Sequence, residues 1–363
     1  MTIFQLIQKP QMRGAEMFAA QLATELTAKG HHVLLISLFP GDSQLPFLGQ
    51  HILLNRPQHK RWNDLEGWRN LAKLIEQYQP DVIQCNAGDT LKFAVLSKLT
   101  NRWKTPIIAR NASMVSAYIT NPITKWINRF LYRKTKAIIS VSQLSAQDIN
   151  QLFPETKSKT SVIPVGINLP NLQPVSWQNS PKSEINLIHV GGFSFEKNHV
   201  GLFSIFQKFL KEKPNSHLHL LGDGPLRKEM EEKITQLGLQ NAVTFYGFTS
   251  QVMDYIHQAD VLLLPSIIEG LPGVLLEAMY AETPVVAYNV GGISEIVFPN
   301  ETGYLLEKGD EAGFVKAILD AVQTANTSVI VKNAKELVVE KFNNSYLAMR
   351  FEQVYKSVLH DKN

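Results

Sequence analysis

Two glutamates eight residues apart, Glu269 and Glu277, bracket the turn Glu269-Gly270-Leu271-Pro272-Gly273-Val274-Leu275-Leu276-Glu277. The turn follows an apolar run, Asp260–Leu264, that reads as a buried strand. A strand, a glycine-containing turn and a helix opening near Gly273 form an anion-binding arrangement. Free backbone N–H groups at the helix start point at the ligand, and the helix dipole favours negative charge. Pro272 suits a helix start, where its missing donor costs nothing. Gly270 and Gly273 let a ligand come close to the backbone. One glutamate precedes the helix and the other lies about a turn inside it. Both can therefore face one cleft and accept hydrogen bonds from sugar or ribose hydroxyls. The plain alternative for either is a solvated carboxylate at a helix start.

A second constellation is His189-Val190-Gly191-Gly192-Phe193-Ser194-Phe195-Glu196-Lys197-Asn198. It follows the strand-like run Ile185–Val190, and open α/β sheets bind ligands outside the C-terminal ends of their strands. Lys197 can neutralise a diphosphate as a flexible point charge. Gly222-Asp223-Gly224-Pro225 holds the same position after the next run. It does not complete the dinucleotide fingerprint, because Arg227 stands at the third glycine position, and this argues against a nicotinamide enzyme. Near the N-terminus, Arg13-Gly14-Ala15-Glu16 links the first strand to the first helix. Gly14 lets that loop approach a phosphate; an ordinary turn is the plain alternative.

The elements that must carry these residues alternate along the chain. Thr2–Leu6, Val33–Ser37 and Val82–Cys85 read as strands, and Ala15–Lys29 as an amphipathic helix. In the second half Ile185–Val190, His199–Lys211, His217–Leu221 and Leu226–Leu237 repeat the rhythm. Such alternation predicts parallel sheets covered by helices on both faces. The stretch from Ile163 to Pro181 holds Pro164, Pro170, Pro174 and Pro181 and reads as the interdomain linker. The domains expected are residues 1–168 and 169–344. A last helix, over Asn344–Leu359 and reaching residue 363 at most, offers Tyr346, Met349, Phe351, Val354, Tyr355 and Val358 for packing. It either caps the second domain or crosses back to the first.

A length of 363 residues suits two α/β domains. Cys85 is the only cysteine, which excludes an internal disulfide framework and a multi-cysteine zinc site. No apolar run approaches the roughly 20 residues needed to span a bilayer. The first residues show no basic segment followed by a long apolar core, so a cytoplasmic protein is expected. Residues 1–170 carry 20 Lys+Arg against 10 Asp+Glu, a balance of +10, whereas residues 171–363 carry 16 against 22, a balance of −6. A basic half favours an anionic lipid, a membrane surface or a polyanion. Lys125–Lys136 interleaves basic residues with Trp126, Phe130, Leu131 and Tyr132. It fits a helix lying on the inner face of an anionic membrane, and equally a core helix with a solvated basic face. No nucleic-acid module accompanies the charge.

Together the Glu269–Glu277 turn, the Lys197 segment, the Gly222–Pro225 turn, Val290-Gly-Gly-Ile-Ser-Glu-Ile296 and Ile163-Pro-Val-Gly-Ile-Asn168 resemble family 4 of the glycosyltransferases. The resemblance spans nearly the whole chain and is strongest from Ile163 to Leu306. It implies the GT-B fold: two Rossmann-like domains with parallel sheets facing a central cleft, the first taking the acceptor and the second a nucleotide-sugar donor. It implies a retaining hexosyltransferase acting on a glycan or lipid-linked acceptor in cell-surface polysaccharide synthesis. It assigns Glu269 to the transferred sugar, Lys197 to the departing diphosphate and Glu277 to the ribose. Gly14, Gly191, Gly192, Gly222, Gly270, Leu271, Pro272, Gly273 and Val274 line the donor in this reading. No metal or other cofactor is implied, and the sequence has no Asp-x-Asp motif.

Three positions depart from the family pattern. An arginine usual near the lysine is replaced by Gly192, so the second cation must come from elsewhere, with Arg13 and Arg110 as candidates. The first glycine of the N-terminal loop is Arg13. A histidine common in the first domain is absent from Pro106–Ser113, leaving Arg110, Asn111 and also Asn86 as polar acceptor-side candidates. Two other readings are a nucleotide-sugar epimerase of the same fold and a non-catalytic nucleotide-sugar-binding partner in an assembly complex.

Overall fold

The computed structural model describes residues 1–175, 177, 185–323 and 326–360. Pro181 and residues 361–363 of the expected final helix lie outside the described residues. The chain divides into two compact units, Met1–Asn168 with Asn344–Asn363, and Leu169–Asn343.

The first unit runs β1 (Thr2–Ile7), α1 (Gly14–Ala28), β2 (His32–Ser37), β3 (Gln50–Leu53), α2 (Leu65–Tyr78), β4 (Val82–Cys85), α3 (Gly88–Asn101), β5 (Ile107–Asn111), α4 (Pro122–Arg133), β6 (Ala137–Ser140), α5 (Gln143–Leu152) and β7 (Thr160–Val162). The strands form one parallel sheet in the order β3-β2-β1-β4-β5-β6-β7. Successive side chains of a strand point to opposite faces, so each strand feeds two cores. Phe4, Leu34 and Ile83 pack against Trp68, Leu71 and Phe93 of α2 and α3. Ile3, Val33, Val82 and Ile108 pack against Phe18 and Leu22 of α1 on the other face.

Helix boundaries follow local chemistry. Asp64 caps α2 by accepting from the Gly67 N–H at 3.0 Å. Asn121 caps α4 by accepting from the Thr124 N–H at 2.8 Å, with Pro122 in the first turn.

The second unit runs β8 (Ile185–Val190), α6 (His199–Glu212), β9 (Ser216–Leu221), α7 (Arg227–Gln236), β10 (Val243–Gly247), α8 (Val252–His257), β11 (Val261–Leu264), α9 (Gly273–Tyr280), β12 (Val285–Tyr288), β13 (Tyr304–Leu306), α10 (Glu311–Gln323) and α11 (Thr327–Lys341). Its parallel sheet has the order β10-β9-β8-β11-β12-β13. Leu187, Leu218, Leu263 and Val286 meet Phe203, Phe206 and Phe314 of the covering helices.

The final helix, α12 (Asn344–His360), belongs to the first unit, where Leu347, Phe351, Tyr355 and Val358 join the core beside α1. Tyr346 and Met349, read as packing residues, lie on its outer face and are exposed. Helical periodicity puts them off the stripe that Phe351 and Tyr355 define. Ile163 and Ile167, inside the stretch read as linker, are buried, and Ile163 sits in the core of the first unit.

Candidate functional site

In the second unit the strand order reverses between β8 and β11. Loops leaving neighbouring strands in opposite directions open a crevice at such a point. Gly191–Asn198 leaves β8, and Pro265–Pro272 leaves β11.

Backbone and side-chain bonds tie the two loops together. Asn198, in a left-handed conformation with φ 54°, caps α6 by accepting from the Gly201 N–H at 3.2 Å. Its Nδ2 donates to the Pro265 carbonyl at 3.0 Å. The Ile267 N–H donates to the Glu196 carbonyl at 2.8 Å. Lys197 Nζ donates to Glu269 Oε1 at 2.6 Å, and both side chains are largely buried. The two residues singled out for chemistry are thus a direct ion pair.

Two glycines permit the close packing. Gly222 has φ +126°, and a Cβ there would stand 2.1 Å from the Gly191 carbonyl oxygen. Gly291 has φ +55°, and its Cβ would stand 1.9 Å from the Glu269 carbonyl oxygen. The following Gly292 N–H donates to the Gly270 carbonyl at 2.7 Å. The Val290–Ile296 motif therefore buttresses the loop that carries Glu269.

Helix α9 opens at Gly273, with Pro272 as an extended N-cap and no side-chain cap on its first amides. Leu271 and Pro272 are buried, while Gly273 and Val274 are half-exposed at the helix start. Glu277 lies one turn inside. Burial pushes its carboxyl up to about 7.

Sequence reasoning gave no individual role to three residues that shape this site, two of them inside the His189–Asn198 segment. His189 Nδ1 lies 2.8 Å from the Leu263 carbonyl oxygen. A carbonyl only accepts, so Nδ1 carries the hydrogen and the buried Nε2 is a bare acceptor without a partner. His189 thereby cross-links β8 to β11 beyond their last ladder pair, Ile188 with Leu262. His199 is buried, stacks on Phe193 with ring centroids 4.1 Å apart, and meets His189 edge-on at 4.9 Å. Burial lowers His189 to about 4 and His199 to about 2. Asn198 is the third. It precedes the helix as a capping residue should, and that position was the available signal.

In the first unit, Arg13 and Arg110 both lie close enough to the buried Glu16 to favour its charged form, whereas Asn111 stands apart. Arg13 is exposed at the N-cap of α1, and Gly14 opens that helix with free space around it. Asn86 is buried; its Nδ2 donates to Gln5 Oε1 at 2.9 Å and its Oδ1 accepts from Gln84 Nε2 at 2.9 Å. Tyr355 of α12 closes this network by donating to Gln84 Oε1 at 2.6 Å. Arg110 is buried 4.2 Å above the Phe18 ring, and burial lowers its guanidinium to about 10. Asn111 points to the other face, donating to Ser140 Oγ and the Ser145 carbonyl. Arg13 and Arg110, the candidate replacements for a cation at Gly192, both belong to the first unit.

Helix α4 divides its apolar residues. Leu131 and Tyr132 are buried, whereas Ile123 and Trp126 are 71% and 67% exposed. Cys85 is buried in β4. Among the described residues, no helix is long and apolar enough to cross a membrane, and no group of three or more His, Cys, Asp or Glu could hold a metal ion.

Two solved structures share this architecture. Sucrose-phosphate synthase of Thermosynechococcus elongatus is 22% identical over 99% of each chain, with a TM-score of 0.85. The Anabaena HepE protein in complex with UDP-glucose is 21% identical over 98% of this chain and 99% of its own, with a TM-score of 0.81. Two Rossmann-like halves with all-parallel sheets give this chain the GT-B fold. The family model for Glycosyltransferase Family 4 matches residues 12–170, and that for Glycosyl transferases group 1 matches residues 176–337. The chain belongs to glycosyltransferase family 4 and is an enzyme of the hexosyltransferase type. Among its relatives, the N-acetyl-alpha-D-glucosaminyl L-malate synthase of Bacillus anthracis is 24% identical over 97% of this chain and 96% of that protein.

Proposed function

We propose that the chain transfers a hexosyl group from a nucleoside-diphosphate sugar to a glycan or lipid-linked acceptor, with retention of anomeric configuration, in cell-surface polysaccharide synthesis. The carrying observation is the Lys197–Glu269 pair, set at the β8/β11 crevice beside the uncapped start of α9. The donor diphosphate takes Lys197 as its counter-ion and the first amides of α9 as hydrogen-bond donors. Glu269, released from the lysine, accepts from a hydroxyl of the transferred sugar. Glu277 accepts from the ribose. As the bond from the anomeric carbon to the phosphate oxygen breaks, the acceptor oxygen bonds that carbon. The departing phosphate takes the acceptor's hydroxyl proton.

UDP-glucose is the first donor to test, because the HepE neighbour is described in complex with it. Nucleoside diphosphate release from a donor panel tests the class of reaction, and proton NMR of the product tests retention. The reading assigns neutralisation of the diphosphate to Lys197 and α9 rather than to a metal, so turnover in excess EDTA is expected to be unchanged.

The first unit takes the acceptor in this reading, at the inner face of the membrane. The exposed Ile123 and Trp126 of α4, flanked by Lys125, Arg129, Arg133 and Lys134, support contact with anionic lipid.

A further inference from the structure

In the first unit, segments leaving three parallel strands meet around Asp89. Gln8 follows β1, Arg61 and Trp62 lie between β3 and α2, and Asp89 and Lys92 stand at the start of α3 after β4. Asp89 Oδ1 accepts from Lys92 Nζ at 2.8 Å, and Oδ2 accepts from Gln8 Nε2 at 3.0 Å. Arg61 Nη1 lies 3.7 Å from the same Oδ2. Lys92 is itself buried and places its ammonium 3.9 Å from the centroid of the Trp62 ring. A desolvated cation over an indole face is a strong form of this contact. The tryptophan is thus fixed from one side, yet 56% of it is exposed.

A single exposed aromatic residue is ordinary. This one stands where four polar side chains from three strand ends converge. The convergence lies beside the β1/β4 reversal of strand order, the place where such sheets bind ligands. The combination matches a pyranose. One face of that ring is lined with C–H groups and packs on a flat apolar plate, while its rim of hydroxyls needs donors and acceptors together. Arg61 donates, Asp89 accepts and Gln8 does both. Trp62 is held in place beforehand, so little further ordering is needed on binding.

We propose that Trp62 is the platform on which a pyranose ring of the acceptor stacks, with Gln8, Arg61 and Asp89 taking its hydroxyls. This names the acceptor's chemistry and rests on the sugar-transfer reading above.

The test titrates wild type, Trp62→Ala, Trp62→Tyr and Arg61→Gln with methyl glycosides of glucose, galactose, mannose and N-acetylglucosamine, followed by saturation-transfer NMR. UDP affinity is measured beside it by calorimetry. At least one glycoside is expected to bind wild type. Its dissociation constant should rise about tenfold in Trp62→Ala, less in Arg61→Gln, and little in Trp62→Tyr. UDP affinity should be the same in all four proteins. Equal glycoside binding by Trp62→Ala, or none by a wild type that binds UDP, overturns the proposal. Weaker UDP binding by Trp62→Ala also overturns it, because the ring would then be stacking a base. A wild type that binds glycosides through Trp62 but no nucleotide leaves the platform standing and sinks the donor reading instead.

Discussion

Lys197 Nζ and Glu269 Oε1 lie 2.6 Å apart although 72 residues separate them in the chain. Each neutralises the other, in a site to which the proposed function assigns a dianionic diphosphate and a polyhydroxyl sugar. Donor binding therefore exchanges partners rather than filling an idle charge. Lys197→Ala is expected to lower turnover by about 10²–10³-fold, the scale seen when one group stabilising transition-state charge is removed. The melting temperature should fall as well, because the variant leaves the largely buried Glu269 carboxylate without its cation, but the protein should still fold. Glu269→Gln combined with Lys197→Ala should cost less than the two single losses multiplied, because each single variant also strands the other's partner. A normal turnover number for Lys197→Ala at saturating donor would remove the lysine from the mechanism.

Glu277 titrates near neutrality because burial raises its carboxyl to about 7. In the empty folded protein this carboxyl holds its proton more tightly than in the unfolded chain. Its contribution to stability is therefore full at low pH and is lost as pH rises from the ordinary carboxylate range toward 7. Donor binding has the opposite sign. A carboxylate that accepts from ribose hydroxyls does so best when ionised, so affinity for UDP-glucose should tighten about tenfold from pH 6 to pH 8. Glu277→Gln should flatten that profile. Glu277→Ala should weaken binding by about 1.5–3 kcal/mol, the value of a hydrogen bond to a charged group. Calorimetry across pH reads both. A flat wild-type profile would take Glu277 out of the donor site.

The buried histidines make acid the weak side of the second unit. Burial holds His189 at about 4 and His199 at about 2, below the ordinary histidine value. Their neutral forms support the fold above about pH 6.5, and that support is lost as pH falls, because the unfolded chain then binds the extra protons. By pH 5 the loss is on the order of 2 kcal/mol per histidine. Urea midpoints should fall between pH 7 and 5, and less steeply in His199→Phe, which keeps the stack on Phe193. Parallel midpoints for the two proteins would contradict this account.

Gly291 tests the buttress behind Glu269. Alanine there would combine positive φ with a Cβ only 1.9 Å from the Glu269 carbonyl oxygen. Gly309 also has positive φ, +94°, but open space around it. Gly309→Ala should cost about 1 kcal/mol of backbone strain and leave turnover intact. Gly291→Ala should cost more and lower turnover as well, through displacement of Glu269. Equal melting temperatures and equal turnover for the two variants would mean that the buttress does not position Glu269.

The outer face of α4 separates membrane contact from core packing. Liposome sedimentation should require anionic lipid and weaken as salt rises, since attraction fades within about 8 Å at physiological ionic strength. Replacing Lys125, Arg133 and Lys134 with Gln should weaken binding by about 1 kcal/mol for each cation near the surface. Arg129 should matter less, because it is paired with Glu155. Trp126→Ser should abolish sedimentation without unfolding, while Leu131→Ser should unfold the unit. Sedimentation that is absent, or equal on neutral and anionic liposomes, would leave α4 an ordinary solvated helix.

The sequence by itself determined the class of fold and where in the chain its chemistry lies. Parallel strands are buried on both faces, so residues 33–36 of β2 and Val261–Leu264 of β11 stand out as continuous apolar runs, and the glycine turns mark the strand ends. The Glu269–Glu277 turn was legible because a helix start needs particular residues within a few positions. Contacts between distant segments carry no such local mark. No spacing says that Lys197 reaches Glu269, that Gly291 makes room for the Glu269 carbonyl, or that Trp62 rests on Lys92. Those depend on which strands become neighbours. Nor could the sequence tell which polar residues the fold would bury: Asn86 and Asn111 read as site residues, and the sheet encloses both in hydrogen-bond networks. The type of a polar residue is local information, whereas whether it faces a crevice or a core is decided by the pleat of its strand and the helix that covers it.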